Sequence, residues 1–334
     1  MKPQSNDRLK ALMFCFAVMV AISIMAGCGT APITITVTRP AEINLKGYDR
    51  IAIGSIVDTS GSVTQHSDDI AQKITEVLFR SDRFEVLDRQ HLNDIVAEHK
   101  LGMSGLIDED SAIELGKFVG SAVLVFGRIQ TDKYDEETSE QFVWIDSNGN
   151  RHGSFYREGE YTLSVNFRLV DVQTAKILAV KTLECNHTAE TRGTVHAAPP
   201  IDSDALYKDC LNDIGSQFLI TVAPYRVQVK AEFETDKELP EVDRALVQFE
   251  VGEWDEGVNI LKSATERKDL EAEVKAKAFY NLGLAQMYSG QCEDAIKYFK
   301  QALSLNPDSS RYQSAILKAK EEKAMADKLK EQMK

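Results

Sequence analysis

The sequence lacks the residue patterns on which several common kinds of site depend. It has five cysteines and no C-x-x-C pair, which argues against a zinc ribbon or a thioredoxin-type redox site. Its 39 Lys and Arg against 52 Asp and Glu give a formal net charge of -13, which disfavours non-specific binding to nucleic-acid phosphates. It contains no P-loop, G-x-S-x-G or H-E-x-x-H motif. We therefore expect no enzyme, no cofactor, no metal ion and no nucleic-acid partner.

The first residues have the order of a secretory signal. Lys2, Arg8 and Lys10 precede an apolar run over residues 11–25. This run is shorter than the roughly 20 residues that a membrane-spanning helix needs, so cleavage is favoured over a permanent anchor. The sequence predicts a signal peptide over residues 1–27.

A short motif at the end of this segment predicts a lipid anchor. Met25-Ala26-Gly27-Cys28 resembles the bacterial lipobox, although Met25 stands where Leu is most frequent. The resemblance implies cleavage before Cys28 and lipidation of its sulfur, and several acyl chains make a stable anchor. Gly29 follows in place of the Asp that retains such proteins at the inner membrane. We expect an outer-membrane lipoprotein that faces the periplasm.

The mature chain is long enough for about two domains. Residues 28–47 are rich in Thr, Pro and small side chains, which is typical of a linker. Over residues 48–230, strand-like and helix-like segments alternate, and Asn148-Gly149 marks a hairpin turn. This pattern predicts an α+β domain with a mixed sheet, followed by an all-α domain over residues 241–334.

The all-α segment resembles the tetratricopeptide repeat. The residues that match the pattern, with Gly290 at the turn, are Phe279, Leu282, Gly283, Ala295, Phe299, Ala302 and Pro307. Gln286 departs from it, since the pattern has Tyr there. A degenerate upstream copy contains Gly252, and residues 311–334 are expected to form a solvated capping helix.

The repeat resemblance implies a peptide-binding groove on the first helix of the clearer copy. The implied groove residues are Lys277, Tyr280, Asn281, Leu284 and Tyr288. An Asn at this position clamps a peptide backbone through its amide. The alternative is that so few repeats only pack against the preceding domain and leave no open groove.

Three segments of the first domain carry a recognisable pattern, Phe84 to Leu92, Leu124 to Gly127 and Phe167 to Asp171. In combination they resemble the CsgG family. The resemblance covers about residues 48–230, and Ala175 replaces the usual Gly of the turn after the third segment. It implies a bacterial envelope lipoprotein; the family's named member, the curli assembly and transport component, forms an outer-membrane pore as a ring of subunits.

The two segments that would enter such a pore carry many charges. Residues 138–160 mix aromatic side chains with Asp, Glu and Arg, and residues 182–203 lack a continuous apolar stripe. We therefore expect a non-enzymatic accessory or scaffold that recruits protein partners through its repeats. Two alternatives stay open, a homo-oligomeric curli-type export pore and a lipoprotein activator of peptidoglycan synthesis.

Cysteines of the mature chain suggest a metal site or a disulfide, and the sequence favours neither. Cys185, His187 and His196 suggest metal ligands, but a fourth ligand is not evident. Cys185 and Cys210 could form a disulfide in an oxidising periplasm, although the sequence does not set their separation. Cys292 falls at a core position of the repeat and is expected to be a buried small hydrophobe.

Overall fold

A computed structural model describes residues 28–87, 122–149, 151–193 and 197–333. These residues divide into two compact units. We call residues 40–225 with 331–333 the sheet unit, and residues 28–39 with 226–330 the repeat unit. The predicted signal peptide and residues 88–92 of the first CsgG-like segment lie outside the described residues. Within the described part of the chain, no helix combines the length and the apolar character needed to cross a membrane.

The sheet unit is built on a five-stranded mixed sheet. Its strands are β2 (Arg50–Val57), β3 (Glu85–Leu87), β4 (Ala122–Ile145), β5 (Arg151–Asp171) and β6 (Ile177–Gly193). They lie in the order β3-β2-β4-β5-β6. β2 pairs in parallel with β3 and β4, whereas the β4-β5 and β5-β6 pairs are antiparallel. The predicted α+β class with a mixed sheet is confirmed.

Among the described residues of this unit, two helices cover the sheet, α1 (Gln65–Ser81) and α2 (Ser203–Val222). The side chain of Thr64 accepts a hydrogen bond from Ser67 N and so caps α1, and Ile70, Ile74 and Leu78 of this helix are fully buried. Phe218 of α2 packs edge-on against Phe167 of β5, with 4.9 Å between ring centroids. Apolar side chains of β2, β4 and β5 complete this core.

The β4-β5 hairpin continues far past the core. Ile145 pairs with Arg151 at its tip, so the connection is longer than the predicted two-residue Asn148-Gly149 turn; Gly149 has φ +83°, but Asn148 does not have the positive φ that such a turn requires. The described part of the segment considered above as a pore segment, residues 138–149 and 151–160, forms this distal end of the hairpin. Residues 182–193 of the second such segment lie in β6 and pair with β5.

The repeat unit contains five helices and a two-stranded sheet. The helices are α3 (Pro240–Glu250), α4 (Trp254–Glu266), α5 (Ala272–Tyr288), α6 (Cys292–Leu305) and α7 (Ser310–Met333). The last residues of α7 lie outside the unit. The strands are β1 (Cys28–Arg39) and β7 (Tyr225–Asp236). Gly252 and Gly290, with φ +88° and +84°, end α3 and α5 at equivalent turns. A Cβ on Gly283 would lie 2.6 Å from the Phe299 ring, so the close packing of α5 on α6 requires glycine there.

The first residues of the predicted linker are part of this folded unit. Residues 28–39 form β1, which pairs with β7. Thr235 Oγ1 donates to the carbonyl oxygen of Gly29 at 3.0 Å, and Ile33 and Ile35 pack against the core of the helices. The segment therefore holds the start of the described chain on the repeat unit.

Candidate functional site

All five predicted groove residues lie on α5. Lys277, Tyr280, Asn281 and Leu284 are buried, and Tyr288 is half-buried. Strand β7 of the same unit lies against this helix, so the face predicted to receive a peptide already contacts an extended segment of the chain.

Asn281 holds the backbone of β7. Its Nδ2 donates to the carbonyl oxygen of Glu234 at 2.7 Å, and its Oδ1 accepts from the Glu234 amide at 2.8 Å. Asn281 has no exposed surface. The amide thus makes the two-sided clamp that the repeat resemblance implies, but the backbone it clamps is intramolecular.

Two further contacts hold the end of β7. Lys277 Nζ lies 2.8 Å from Asp236 Oδ2, with the two side chains only 10% and 13% exposed. The Tyr312 hydroxyl of α7 donates to Glu234 Oε2 at 2.8 Å. Burial raises the pKa of Tyr312, so its phenol stays neutral and available as a donor. The Lys277 and Asn281 part of the predicted groove is therefore filled by the protein itself.

The other part of the predicted groove opens into a cavity of about 380 Å³. Tyr280, Leu284 and Tyr288 line it from α5, and Arg311 and Lys318 line it from α7. Burial raises the pKa of Tyr280 to about 12. Lys318 Nζ donates to the Tyr288 hydroxyl at 3.0 Å. The contribution of α7 was missed because this helix was expected only to cap the repeats.

Lys230 and Glu232 of β7 complete the rim of this cavity. Arg311 lies 3.7 Å from Glu232 and 3.6 Å from Glu234. Three cationic side chains thus surround an aromatic and aliphatic floor, with Glu232 as the acidic residue of the lining. Such a cavity suits an apolar side chain that is accompanied by negative charge.

The cysteines of the sheet unit lie close together. Cys185 and His187 of β6 and Cys210 of α2 place their potential ligand atoms within 4.8 Å of one another. Both cysteines are buried free thiols in the structure, and burial raises the pKa of each. His196 lies outside the described residues. Cys292 is buried at 5% exposure, as its repeat position predicts.

Comparison with known families agrees with the architecture. The model of the curli production assembly/transport component CsgG matches residues 43–198, and the tetratricopeptide repeat model matches residues 276–309. No curated protein matches the chain.

Several solved lipoprotein structures are similar at low sequence identity. The LpoB C-terminal domain from Salmonella enterica is 13% identical, with a TM-score of 0.28, over 42% of this chain and 84% of that one. The PelC dodecamer from Paraburkholderia phytofirmans is 12% identical, with a TM-score of 0.26, over 58% and 99%. Lipoprotein GNA1162 from Neisseria meningitidis is 13% identical, with a TM-score of 0.28, over 48% and 90%.

The family matches agree with both resemblances found in the sequence. The CsgG match covers α1 and strands β2 to β6 but not α2, the repeat match covers most of α5 and all of α6, and both families are non-enzymatic. The chain carries a CsgG domain followed by a tetratricopeptide repeat.

Proposed function

We propose that this protein is a non-enzymatic accessory lipoprotein of the bacterial envelope, of the assembly or transport type. Its anchor is the lipid on Cys28, which holds it at the outer membrane facing the periplasm, and it recruits a protein partner through the repeat unit. The lipobox-like motif supports the anchor. The CsgG domain and the repeat support the envelope role and the binding role.

The cavity beside β7 is the observation that carries the binding proposal. Strand β7 already takes the Asn281 end of α5. The partner segment therefore enters at Tyr280, Leu284 and Tyr288, next to β7. A cavity of about 380 Å³ accommodates one or two side chains of a bound segment rather than a whole peptide.

The charge of the rim defines the chemistry of the partner segment. Lys230, Arg311 and Lys318 surround the cavity of a protein whose overall charge is -13. A local cationic rim on an acidic protein favours a segment with an aromatic or aliphatic side chain beside Asp or Glu. The partner is thus a protein with an exposed acidic-apolar segment in the periplasm.

Cross-linking in cells tests this function. The full processed protein, isolated with the membrane fraction, is expected to capture an envelope protein. Lys318→Glu reverses one rim charge and removes the contact to Tyr288, while Tyr288→Ala opens the apolar floor. Each variant should reduce capture at least tenfold, because a like charge or a lost aromatic at the centre of an interface costs more than about 1.4 kcal/mol.

Lys300→Glu is the matched control, because Lys300 is an exposed residue of α6 outside the cavity lining. Its capture should equal that of the wild type, and all variants should melt at similar temperatures. Equal capture by Lys318→Glu, Tyr288→Ala and the wild type would reject the cavity as the binding site. Capture of a peptidoglycan synthase would favour the activator function, and capture of further copies of this chain would favour the pore.

A further inference from the structure

The second cluster of chemically distinctive side chains lies between β6 and α2 in the sheet unit. Cys185 and His187 are two residues apart on β6, so their side chains share one face of the sheet. Cys210 and Asp213 are three residues apart on α2, so they share one face of the helix. These two faces meet, since Asp213 Oδ2 lies 3.7 Å from Cys185 Sγ and 3.1 Å from His187 Nε2.

The spacing of these atoms is close to that of a metal coordination shell. Both sulfur atoms and a ring nitrogen of His187 lie within 4.8 Å of one another. Zinc holds sulfur at about 2.3 Å and nitrogen at about 2.0 Å in a tetrahedron, which sets ligand atoms roughly 3.5–3.8 Å apart. Small side-chain rotations therefore bring the three atoms onto one ion.

Asp213 is the candidate fourth ligand, and its carboxylate has to rotate to join the three atoms that lie within 4.8 Å of one another. Its Oδ2 already lies beside two of the other three ligand atoms. The resulting set of two thiolates, one imidazole and one carboxylate suits zinc, because sulfur and nitrogen ligands disfavour magnesium and calcium. We propose that Cys185, His187, Cys210 and Asp213 bind a zinc ion.

The burial of the four side chains fits a structural site with a route of entry. Cys185 is 6% exposed and Cys210 is fully buried, so the sulfur atoms form the floor. The side chains of His187 and Asp213 are 35% and 54% exposed, so they form the solvent-facing side. Since β6 ends the order of described strands, the ion would tie the last strand of the sheet to the helix that covers it.

Cobalt substitution tests the site directly. The full chain is reduced, treated with a chelator and titrated with Co²⁺ and then with Zn²⁺. We expect a thiolate-to-cobalt charge-transfer band with one equivalent of Co²⁺, loss of that band on adding Zn²⁺, and one zinc per chain by elemental analysis. Zinc should also raise the melting temperature of the sheet unit.

Variants on the exposed side of the site keep the test valid if the buried thiols prove necessary for folding. His187→Gln and Asp213→Asn should each weaken zinc binding by roughly 10–100-fold or more, which is the loss seen even for residues that only orient a ligand. His66→Gln is the matched control, because His66 forms a comparable pair with Asp132 elsewhere in the unit, with 2.6 Å between Nδ1 and Oδ2. Cys292→Ser is the matched cysteine control and should bind zinc like the wild type.

Two outcomes would overturn the proposal. One is the absence of a cobalt band when both thiols are shown to be reduced and reactive after unfolding. The other is a Cys185–Cys210 disulfide in protein isolated from cells without reductant, since oxidation of the two thiols removes two of the four ligands. Neither outcome bears on partner capture by the repeat unit, which is tested separately.

Discussion

A single residue in the turn between β5 and β6 has an unfavourable backbone conformation. Ala175 has φ +53°, in the left-handed region that favours glycine. The turn is closed by a hydrogen bond of 2.9 Å from Asp171 N to the carbonyl oxygen of Lys176. A residue with a Cβ raises the free energy of the folded state by roughly 1–2 kcal/mol in this conformation, so Ala175 destabilises the sheet unit.

Ala175→Gly should therefore stabilise the sheet unit. Relief of the left-handed conformation outweighs the greater freedom of glycine in the unfolded chain, and we expect a net gain of roughly 0.5–1 kcal/mol in the free energy of unfolding. Urea unfolding of the variant and the wild type measures this difference in the free energy of unfolding. Ala179→Gly is the matched control, because Ala179 lies within β6 and glycine there should destabilise. A loss of stability in both variants would contradict this account of the turn.

Asp171 in the same turn predicts a dependence of stability on pH. Burial raises the pKa of this carboxyl, but hydrogen bonds from Gln173 N and the Tyr48 hydroxyl outweigh burial, and the net pKa is lowered. The folded state therefore favours the carboxylate. Its contribution to stability is complete above the ordinary pKa of about 3.9 and is lost as pH falls through the lower folded value.

Asp171→Asn removes this titration. Below about pH 4, its free energy of unfolding should depend less on pH than that of the wild type. Between about pH 5 and pH 7, the free energies of unfolding of the two proteins should change with pH in the same way. Tyr48→Phe removes one of the hydrogen bonds and should give an intermediate slope. Identical acid unfolding curves for the wild type and Asp171→Asn would show that Asp171 does not contribute.

At the scale of elements, the buried amide of Asn281 on α5 holds the backbone of β7. Removing Asn281 leaves both the amide and the carbonyl of Glu234 without their partner on α5. A buried polar group without a partner costs about 1–3 kcal/mol. Asn281→Ala should therefore destabilise the repeat unit by roughly 2–4 kcal/mol and speed hydrogen exchange of the Glu234 amide.

Asn259→Ala provides the control for this prediction, because Asn259 is an exposed residue of the neighbouring helix α4. It should change stability by less than about 0.5 kcal/mol. If the two variants unfold alike and the Glu234 amide exchanges at an unchanged rate, the clamp on β7 is not important for stability.

The sequence revealed local elements better than distant pairings. Short-range patterns predicted the alternation of strands and helices in the sheet unit, a hairpin at Asn148-Gly149 and the repeat helices, because side chains a few residues apart determine them. The alternation of Thr with Ile33, Ile35 and Val37 is also a strand pattern, but β1 pairs with a strand almost 200 residues away. A pairing at that separation leaves no local signal, so the segment resembled a linker.

The same limit explains which site residues could be predicted. The five groove residues belong to one helix, so the repeat pattern located them together. Strand β7, which fills part of the groove, lies before the repeat in the sequence. Its alternating Val227, Val229, Ala231 and Phe233 indicate a strand but not its contact with α5. Asp213 had no signal at all, because its relation to Cys185 depends on how α2 packs on β6.

At the scale of the whole molecule, the strand β4 bears on self-association. Its first residues pair with β2, but from Thr131 onward β4 pairs only with β5 among the described residues. The exposed residues along this stretch include Glu137 and Glu140, together with Asp135, which pairs with Lys133, and Glu136, which pairs with Arg157. Acidic side chains along a strand edge oppose the addition of a strand from a second copy, because both edges carry the same charge.

The full processed protein extracted in detergent should therefore be a monomer or dimer rather than a closed ring. Light scattering coupled to size exclusion gives the mass, and particle images of the same peak show whether a ring exists. A ring at moderate salt would reject the accessory function in favour of the export pore. Repeating the measurement with Glu137 and Glu140 changed to Gln tests the cause. If charge keeps the edges apart, this variant should associate more strongly than the wild type, and added salt should reduce the difference by screening.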